Sequence, residues 1–348
     1  METLRPETLF LDLSDTRWHA LTAAHPQTQI FHHPAWTSLL AECYGYRPFV
    51  VAVRDADNSI CAGLPMMEIS GLLTGRRWIS LPFTDHCAPL CLCAESLSRL
   101  ADSLVDLSRN QSTPKIELRC ELPPQPAIRS YSHHVLHTLP LCPDSDTVFC
   151  RFLPMHRRNI KVAEKKGVHI EWGNQRKHLE IFYRLHLETR RRKGMPIQPW
   201  RFFDILGSSM LEKGLGFVLL AYKDDTCLAA AVFLHWHGTL TYKFAASRLE
   251  GLSLCPNNLL LWAAIRWGCE NGYVLFDMGR TDLNNTGLRA FKSGWGAQEA
   301  PLAYSALSAE PSRSMTGKLM PIMQTVIRNS PLWVCRATGE LFYKHFGV

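Results

Sequence analysis

The sequence predicts an α/β protein made of two tandem copies of one unit, followed by a helical tail. Three observations carry this: a length and composition that suit two globular cores, one order of elements that occurs twice, and an apolar, basic stretch after residue 310. The 348 residues are too many for one ordinary core and about right for two domains of common size. Apolar residues make up 46% and charged residues 20%, a balance that excludes a disordered chain. No apolar run approaches the roughly 20 residues that a bilayer span needs.

The repeat is read from periodicity. His33 to Gly45 (HPAWTSLLAECYG) places apolar residues at helical spacing and stops at a glycine. FVVAV (Phe49 to Val53), the polar RDADNS and then ICAGLPMMEI read as a hairpin. Arg201 to Gly214 (RFFDILGSSMLEKG) is again helical and closed by glycine, and FVLLA, YKDDT and CLAAAVFLHW form a second hairpin. Downstream, ESLSRLADSLVDLSRN leads to KIELRCE and HHVLHTLPL, as NNLLLWAAIRWGCENG leads to YVLFDMG and PLAYSAL. Each half thus reads helix, hairpin, helix, strand, strand. The Pro-rich ELPPQPA is a loop, and the boundary falls near Pro140 to Leu153. This predicts a first unit over 1–150, a second over 151–310 and a tail over 311–348. The tail reads as two helices around Asn329-Ser330-Pro331 that pack onto the rest of the molecule. Lys318, Arg328, Arg336 and Lys344 make an amphipathic membrane contact the alternative.

The formal charge of +7 is concentrated locally, in MHRRNIKVAEKK (Met155 to Lys166) and RRRK (Arg190 to Lys193). Such clusters suit an anionic ligand (phosphates of a substrate or cofactor, RNA, or an acidic membrane surface), although a charge total alone is equally a solvated face. Arg157, Lys161 and Lys165 share one helical face with Arg158 alongside. The N-terminus lacks the basic start and apolar core of a signal peptide, which predicts a cytoplasmic protein with an ordered first strand. Most of the 12 cysteines lie in apolar runs (Cys43, Cys150, Cys227, Cys255, Cys269), as small buried thiols would in a reducing compartment. His86-Cys87 with Cys91 and Cys93 matches no common zinc spacing, so no metal is expected. P-loop, G-x-S-x-G and H-E-x-x-H motifs do not occur.

Several phrases resemble a known family: LPFTDHCAPL, RRNIKVAEKKG, HLETRRRKGMPIQP, PNNLLLWAAI and, most specifically, FDMGRTDLNNTGLRAFKSGWGA (Phe276 to Ala297). Together they resemble the FemABX peptidyltransferases and the broader FemAB-like proteins with a BioF2-like acetyltransferase domain, within the GNAT acyltransferase superfamily. The resemblance covers nearly the whole chain and implies two GNAT-like units. It implies transfer of an aminoacyl or acyl group, from aminoacyl-tRNA or acyl-CoA, to an amine of an anionic acceptor such as a cell-envelope or polysaccharide precursor. An acyl-CoA-dependent N-acetyltransferase of a small molecule is the alternative. A non-catalytic RNA- or membrane-binding module on a degenerate GNAT scaffold is a third reading.

Acyl transfer needs a neutral amine, a cation or N–H group near the carbonyl oxygen, and a path for the amine proton. By the resemblance Lys292 meets a phosphate or the developing oxyanion, and Phe291 packs beside a ring of the donor; an exposed lysine and a core phenylalanine are the bland readings. Asp277, at the end of an apolar strand, either takes the amine proton or orients Arg280, or else is a turn-forming residue that caps the next segment. Asp85 and His86 follow a strand-like run in the first unit, where the resemblance implies that their loop faces the acceptor; a lone histidine is more often structural. Arg157, Arg158, Lys161, one arginine of Arg190 to Arg192, and Tyr242 are the expected substrate-binding residues. The Q/R-x-x-G-x-G/A loop by which GNAT enzymes hold the CoA pyrophosphate is matched poorly by Arg191 to Pro196 and by Leu211 to Gly216. That weakens CoA and leaves aminoacyl-tRNA, an acyl carrier protein or another donor open.

Overall fold

The computed structural model describes residues 7–71, 75–307 and 316–346. Met1 to Pro6 of the expected first strand, Pro311 to Met315 of the tail and the side chain of Lys318 lie outside the described residues. The chain forms two compact units. One comprises Met1–Val135 with Pro301–Ser312 and Lys344–Val348; the other comprises Leu136–Ala300 with Arg313–Tyr343.

The first unit contains β1 (Thr8–Leu11), α1 (Thr16–Ala24), α2 (Pro34–Tyr44), β2 (Arg47–Arg54), β3 (Ile60–Gly71), β4 (Gly75–Ile79), a two-residue β5 (Leu90–Cys91), α3 (Ala94–Arg109) and β6 (Lys115–Leu118). Local chemistry sets the helix ends. The Asp15 side chain accepts the Arg17 N–H at the start of α1, and His33 accepts the Ala35 N–H at the start of α2, with Pro34 in the first turn. Gly45 ends α2 in the left-handed region at φ 73°. Strands β1, β2, β3 and β4 follow one another antiparallel, and β6 then joins β4 in parallel through Arg77 and Lys115. The later segment 301–307 adds an antiparallel strand to β6, pairing Ser305 with Leu118.

The second unit begins within β7 (Arg129–Pro140). It continues through α4 (Ser145–Cys150), α5 (Pro154–Lys165), β8 (Val168–Gly173), α6 (Arg176–Lys193) and α7 (Trp200–Leu206), which runs into a π turn. Then come β9 (Gly216–Lys223), β10 (Thr226–Trp236), β11 (Thr239–Ser247), α8 (Pro256–Glu270), β12 (Leu275–Asp282), α9 (Thr286–Ser293) and β13 (Gln298–Leu307). The tail supplies α10 (Thr316–Asn329) and α11 (Leu332–Phe346). Strands β8 to β11 are successive antiparallel neighbours, and β12 joins β11 in parallel.

Each unit therefore runs strand, two helices, three antiparallel strands, crossover helix, parallel strand, and the fold is two GNAT-like units in tandem with C-terminal helices. The expected repeat follows this order up to the parallel strand and places its last strand beyond it, at β7 and β13, but it lacks three parts of the order. The leading strand is short. The third strand begins with Arg76 and Arg77 in the first unit, and α6 ends in four cations, so both look like solvated loop.

Strand β10 is buried over most of its length because the sheet packs α8 on one face and α6 on the other. Helix α8 is apolar almost all round and has 11 of its 15 residues buried, as a central crossover helix must. Phe152, Trp262 and Trp295 close the core beside it, with Phe152 set edge-on to both rings at 5.7 and 4.9 Å. All twelve cysteines are free thiols. Their burial differs from expectation: Cys227 and Cys269 are buried, Cys43 and Cys255 half-buried, and Cys150 exposed at the solvent side of α4.

Three histidines are held neutral by burial. His32 donates from Nε2 to the Ala88 carbonyl (2.8 Å) and accepts the Gln29 N–H at Nδ1 (3.0 Å), and burial lowers its pKa to about 4. Burial likewise lowers His186 to about 3 and His235 to about 4. Each folded pKa lies below the unfolded value, so between these limits the unfolded chain binds more protons. Stability should be full above about pH 6.5 and fall as the pH drops toward 4, with up to about 1.4 kcal/mol per pH unit from each histidine. Urea unfolding across that range measures it, and a flat profile between pH 7 and 5 would contradict the assignment.

Candidate active site

The site of interest is made by two parallel strands that part company. β11 and β12 pair only through Thr239–Leu275, Leu240–Phe276 and Thr241–Asp277, yet both strands continue, to Ser247 and Asp282. Just past the last pair the register with β10 shifts, with Val232 opposite Phe244 and Phe233 opposite Tyr242, so Lys243 is an extra residue in β11. A bulge of this kind bends its strand and ends regular pairing. Beside this stretch of β11 lies a cavity of about 330 Å³ that no residue of β12 lines. One wall is Tyr242 and Ala245 to Ser247 of β11; another is Phe291 of α9; the first turn of α8 contributes Asn257 and Asn258.

The third wall is the C-terminal turn of α6. Thr189 fastens it to the end of β11, accepting the Ser247 N–H (3.1 Å) and donating to the Ser247 carbonyl (3.2 Å), and Arg192 Nη1 donates to the same carbonyl (3.1 Å). This brings Arg192 and Lys193 to the cavity, while no carboxylate is among its lining residues. Burial, followed by the charges of Arg190 and Arg192, pushes the Lys193 ammonium below its ordinary pKa. Such a wall attracts an anion, and the Tyr242 and Phe291 faces suit an apolar or aromatic part of the same ligand.

Behind the cavity lies His156 of α5, 1% exposed. Its ring stacks on Trp295 at 4.6 Å and meets Phe291 edge-on at 5.2 Å. Nδ1 lies 2.8 Å from Asn258 Nδ2, so the amide donates to a neutral imidazole whose proton is on Nε2. Burial is also what lowers the pKa of His156.

The sequence-predicted residues fall into four groups. Arg192, Tyr242 and Phe291 line the cavity. Asp277, Arg280 and Lys292 gather around Gly279, which has φ 70°. Asp277 Oδ1 accepts the Gly279 N–H (2.7 Å), while Lys292 Nζ donates to the carbonyls of Gly279 (2.8 Å) and Arg280 (3.1 Å). Asp277 and Lys292 are both buried, at 2% and 4% exposure, so Lys292 is not the exposed lysine of the bland reading. Arg157 is half-buried, Arg158 and Lys161 are exposed on α5, and none of the three makes an ion pair among the described residues. Arg190 turns away from the cavity, donating through Nε (2.8 Å) and Nη2 (2.6 Å) to the Pro196 carbonyl.

Asp85 and His86 belong to the first unit. The Asp85 carbonyl accepts the Tyr304 hydroxyl (2.5 Å), and His86 is buried edge-on to Phe31 at 6.0 Å. Their loop carries two bulky residues at positive φ, Leu81 (62°) and Phe83 (59°). Strain of that kind persists only where the surroundings enforce it. Here Trp36 Nε1 donates to Thr84 Oγ1 (2.9 Å), and the Cys87 N–H donates to the Arg119 carbonyl (3.0 Å).

Residues 154–293 match the family described as Acetyltransferase (GNAT) domain. The match runs from α5 to α9. No curated protein matches the chain. The solved structure of FemX superposes with a TM-score of 0.69 at 14% identity, covering 90% of this chain and 100% of its own. The C-terminal domain of a protein described as a lysylphosphatidylglycerol synthetase, from Agrobacterium fabrum, gives 0.53 at 13%, covering 90% and 96%. A tandem GNAT protein from the clavulanic acid biosynthesis pathway gives 0.53 at 12%, covering 88% and 100%. At these identities the likeness is one of fold.

Arg191 to Pro196 follows α6 and Leu211 to Gly216 precedes β9, so neither opens the crossover helix. The segment that does, between β11 and α8, reads Arg248-Leu249-Glu250-Gly251-Leu252-Ser253, an R-x-x-G-x-S that ends in neither Gly nor Ala. Asn258 and His156 are not singled out by the sequence, and Lys193 only as part of the basic run Arg190 to Lys193. Single polar residues on helices carry no spacing signal, and only the fold shows that they converge. No group of three His, Cys, Asp or Glu among the described residues is placed to hold a metal ion.

If His156 accepts from Asn258 as a buried neutral imidazole, ¹⁵N NMR at pH 6.5 should show it predominantly neutral, where an ordinary histidine is about half protonated. A ring that titrates at the ordinary value would remove the Asn258 contact from the description.

Proposed function

We propose that the protein is an acyltransferase whose second unit binds a phosphate-bearing acyl donor in the cavity beside β11 and passes the acyl group to an amine. The observation that carries this is a cavity, within the stretch that matches a GNAT domain, that is lined by Arg192, Lys193 and Asn258 and by no carboxylate. In the reaction the amine nitrogen forms a bond to the acyl carbon. The bond to the donor's sulfur or ribose oxygen breaks, and the amine proton leaves to a base. Asp277 and Lys292 act at Gly279: the carboxylate and the ammonium hold the turn, and the ammonium charge steadies the oxyanion or a donor phosphate. Arg158 and Lys161, exposed, and the half-buried Arg157, all without acidic partners among the described residues, suit an anionic acceptor, for which a cell-envelope or polysaccharide precursor is the proposed class. FemX and the lysylphosphatidylglycerol synthetase among the neighbours are consistent with an aminoacyl donor.

A second reading has its own observation. Arg248 to Ser253 occupies the position of a CoA pyrophosphate loop, which favours acyl-CoA as donor and a small-molecule amine as acceptor. Thermal unfolding with acetyl-CoA and, separately, with charged tRNA decides between them. A true donor at 100 times its dissociation constant adds about 2.7 kcal/mol of stability. A shift with neither would overturn the acyltransferase reading.

Because Lys292 serves two buried carbonyls, Lys292→Met should cost about 1–3 kcal/mol of stability as well as activity. Turnover of the folded fraction should fall roughly 10²–10³-fold if the charge serves the transition state. Loss of donor affinity first would assign it to a ground-state phosphate. Near wild-type turnover and affinity would take Lys292 out of the mechanism.

A further inference from the structure

Helix α11 has two apolar faces and only one of them is covered. Cys335, Gly339 and Tyr343, four residues apart, form the buried stripe. The fit there is close: a Cβ on Gly339 would run into the Ile197 carbonyl oxygen. Cys335 Sγ reaches the Ile327 carbonyl at 3.4 Å, which ties α11 to α10, and Glu340 accepts the Trp200 N–H at 2.9 Å. The helix is therefore fixed in rotation. Its outer side presents Trp333 (73% exposed), Ala337 and Leu341 (63%) along one line, with Phe342 (52%) and Leu332 (37%) flanking, and Val326 (53%) at the end of α10. Trp333 is the most exposed large apolar residue among those described.

Charge identifies the occupant. Residues 316–346 hold four Lys or Arg and a single carboxylate, Glu340, which is already engaged. Arg328, Arg336 and Lys344 are all exposed around the apolar line. The basic end of α6 adjoins them, since Gly194 abuts Gln324 and Arg328, and Arg328 Nη2 points at the Lys193 carbonyl (3.5 Å). A second protein surface would need its own acidic patch shaped to this ridge. A bilayer rich in anionic lipid offers both requirements at once, an apolar interior for tryptophan and leucine and a negative headgroup layer for the cations.

We propose that the outer face of α11, with the end of α10, is a membrane-docking surface that lies in the headgroup layer of an anionic bilayer. The helix does not span it: among the described residues no helix is long and apolar enough to cross a membrane. Docking is reversible and two-part, with apolar insertion by Trp333, Leu341 and Phe342 and attraction by Arg328, Arg336 and Lys344. This inference stands apart from the acyl-transfer reading and would survive its failure.

The test uses the full chain and sedimentation with vesicles of phosphatidylcholine containing phosphatidylglycerol, against vesicles of phosphatidylcholine alone. Binding is expected to the mixed vesicles, to weaken as salt is raised, and to be far weaker on the neutral ones. W333S combined with L341S should reduce the partition constant on the order of tenfold or more. R328E combined with K344E should remove the preference for phosphatidylglycerol. The substituted side chains are exposed, so circular-dichroism melting should match the wild type; a destabilised variant is replaced by W333S alone. Failure to bind mixed vesicles, or binding unchanged by both pairs of substitutions, overturns the proposal. So does a concentration-dependent dimer in ultracentrifugation that W333S with L341S abolishes, because the face would then belong to a second copy of the chain.

Discussion

The second unit is organised around an interrupted hydrogen-bond ladder. Three residue pairs join β11 to β12, and after Thr241 and Asp277 the strands diverge. A parallel sheet that stayed closed would leave no room for a ligand, because its faces are already covered by helices. Once the ladder stops, the end of β11 needs other partners, and Thr189 and Arg192 of α6 supply them at Ser247. The same interruption leaves α8 starting at the open end, so the asparagines of its first turn face the gap. Cavity, cationic wall and helix start all gather at the end of β11, beyond the last pair with β12.

The architecture was legible in the sequence to a large extent because its signals are long-period ones. Two glycine-stopped helices before hairpins, and two crossover helices before strands, survive errors of a residue or two at each boundary. What escaped was decided by tertiary context. Strand β4 opens with two arginines, and nothing local says that Arg77 will be buried against Glu117. Helix α6 ends in four cations, which in isolation is a solvated helix end.

The candidate site was legible only in part, and for a related reason. Phe291, Lys292 and Asp277 were found because they lie in one contiguous phrase. Asn258 and His156 are 102 residues apart and meet only through packing. Arg190 and Arg192 were indistinguishable as letters in a run, yet one anchors the Pro196 loop and the other lines the cavity. Two residues of helix separate them, and on an α-helix that is enough to point them in different directions.

Gly279 carries one further implication. The Asp277 carboxylate grips the peptide on its amino side and the Lys292 ammonium grips the peptide on its carboxyl side. Two oppositely charged side chains from different elements thus fix one peptide turn, and α9 is stitched to the far half of β12 at that point. The end of α6 is attached to β11 in another way, through the side chains of Thr189 and Arg192 at the single residue Ser247.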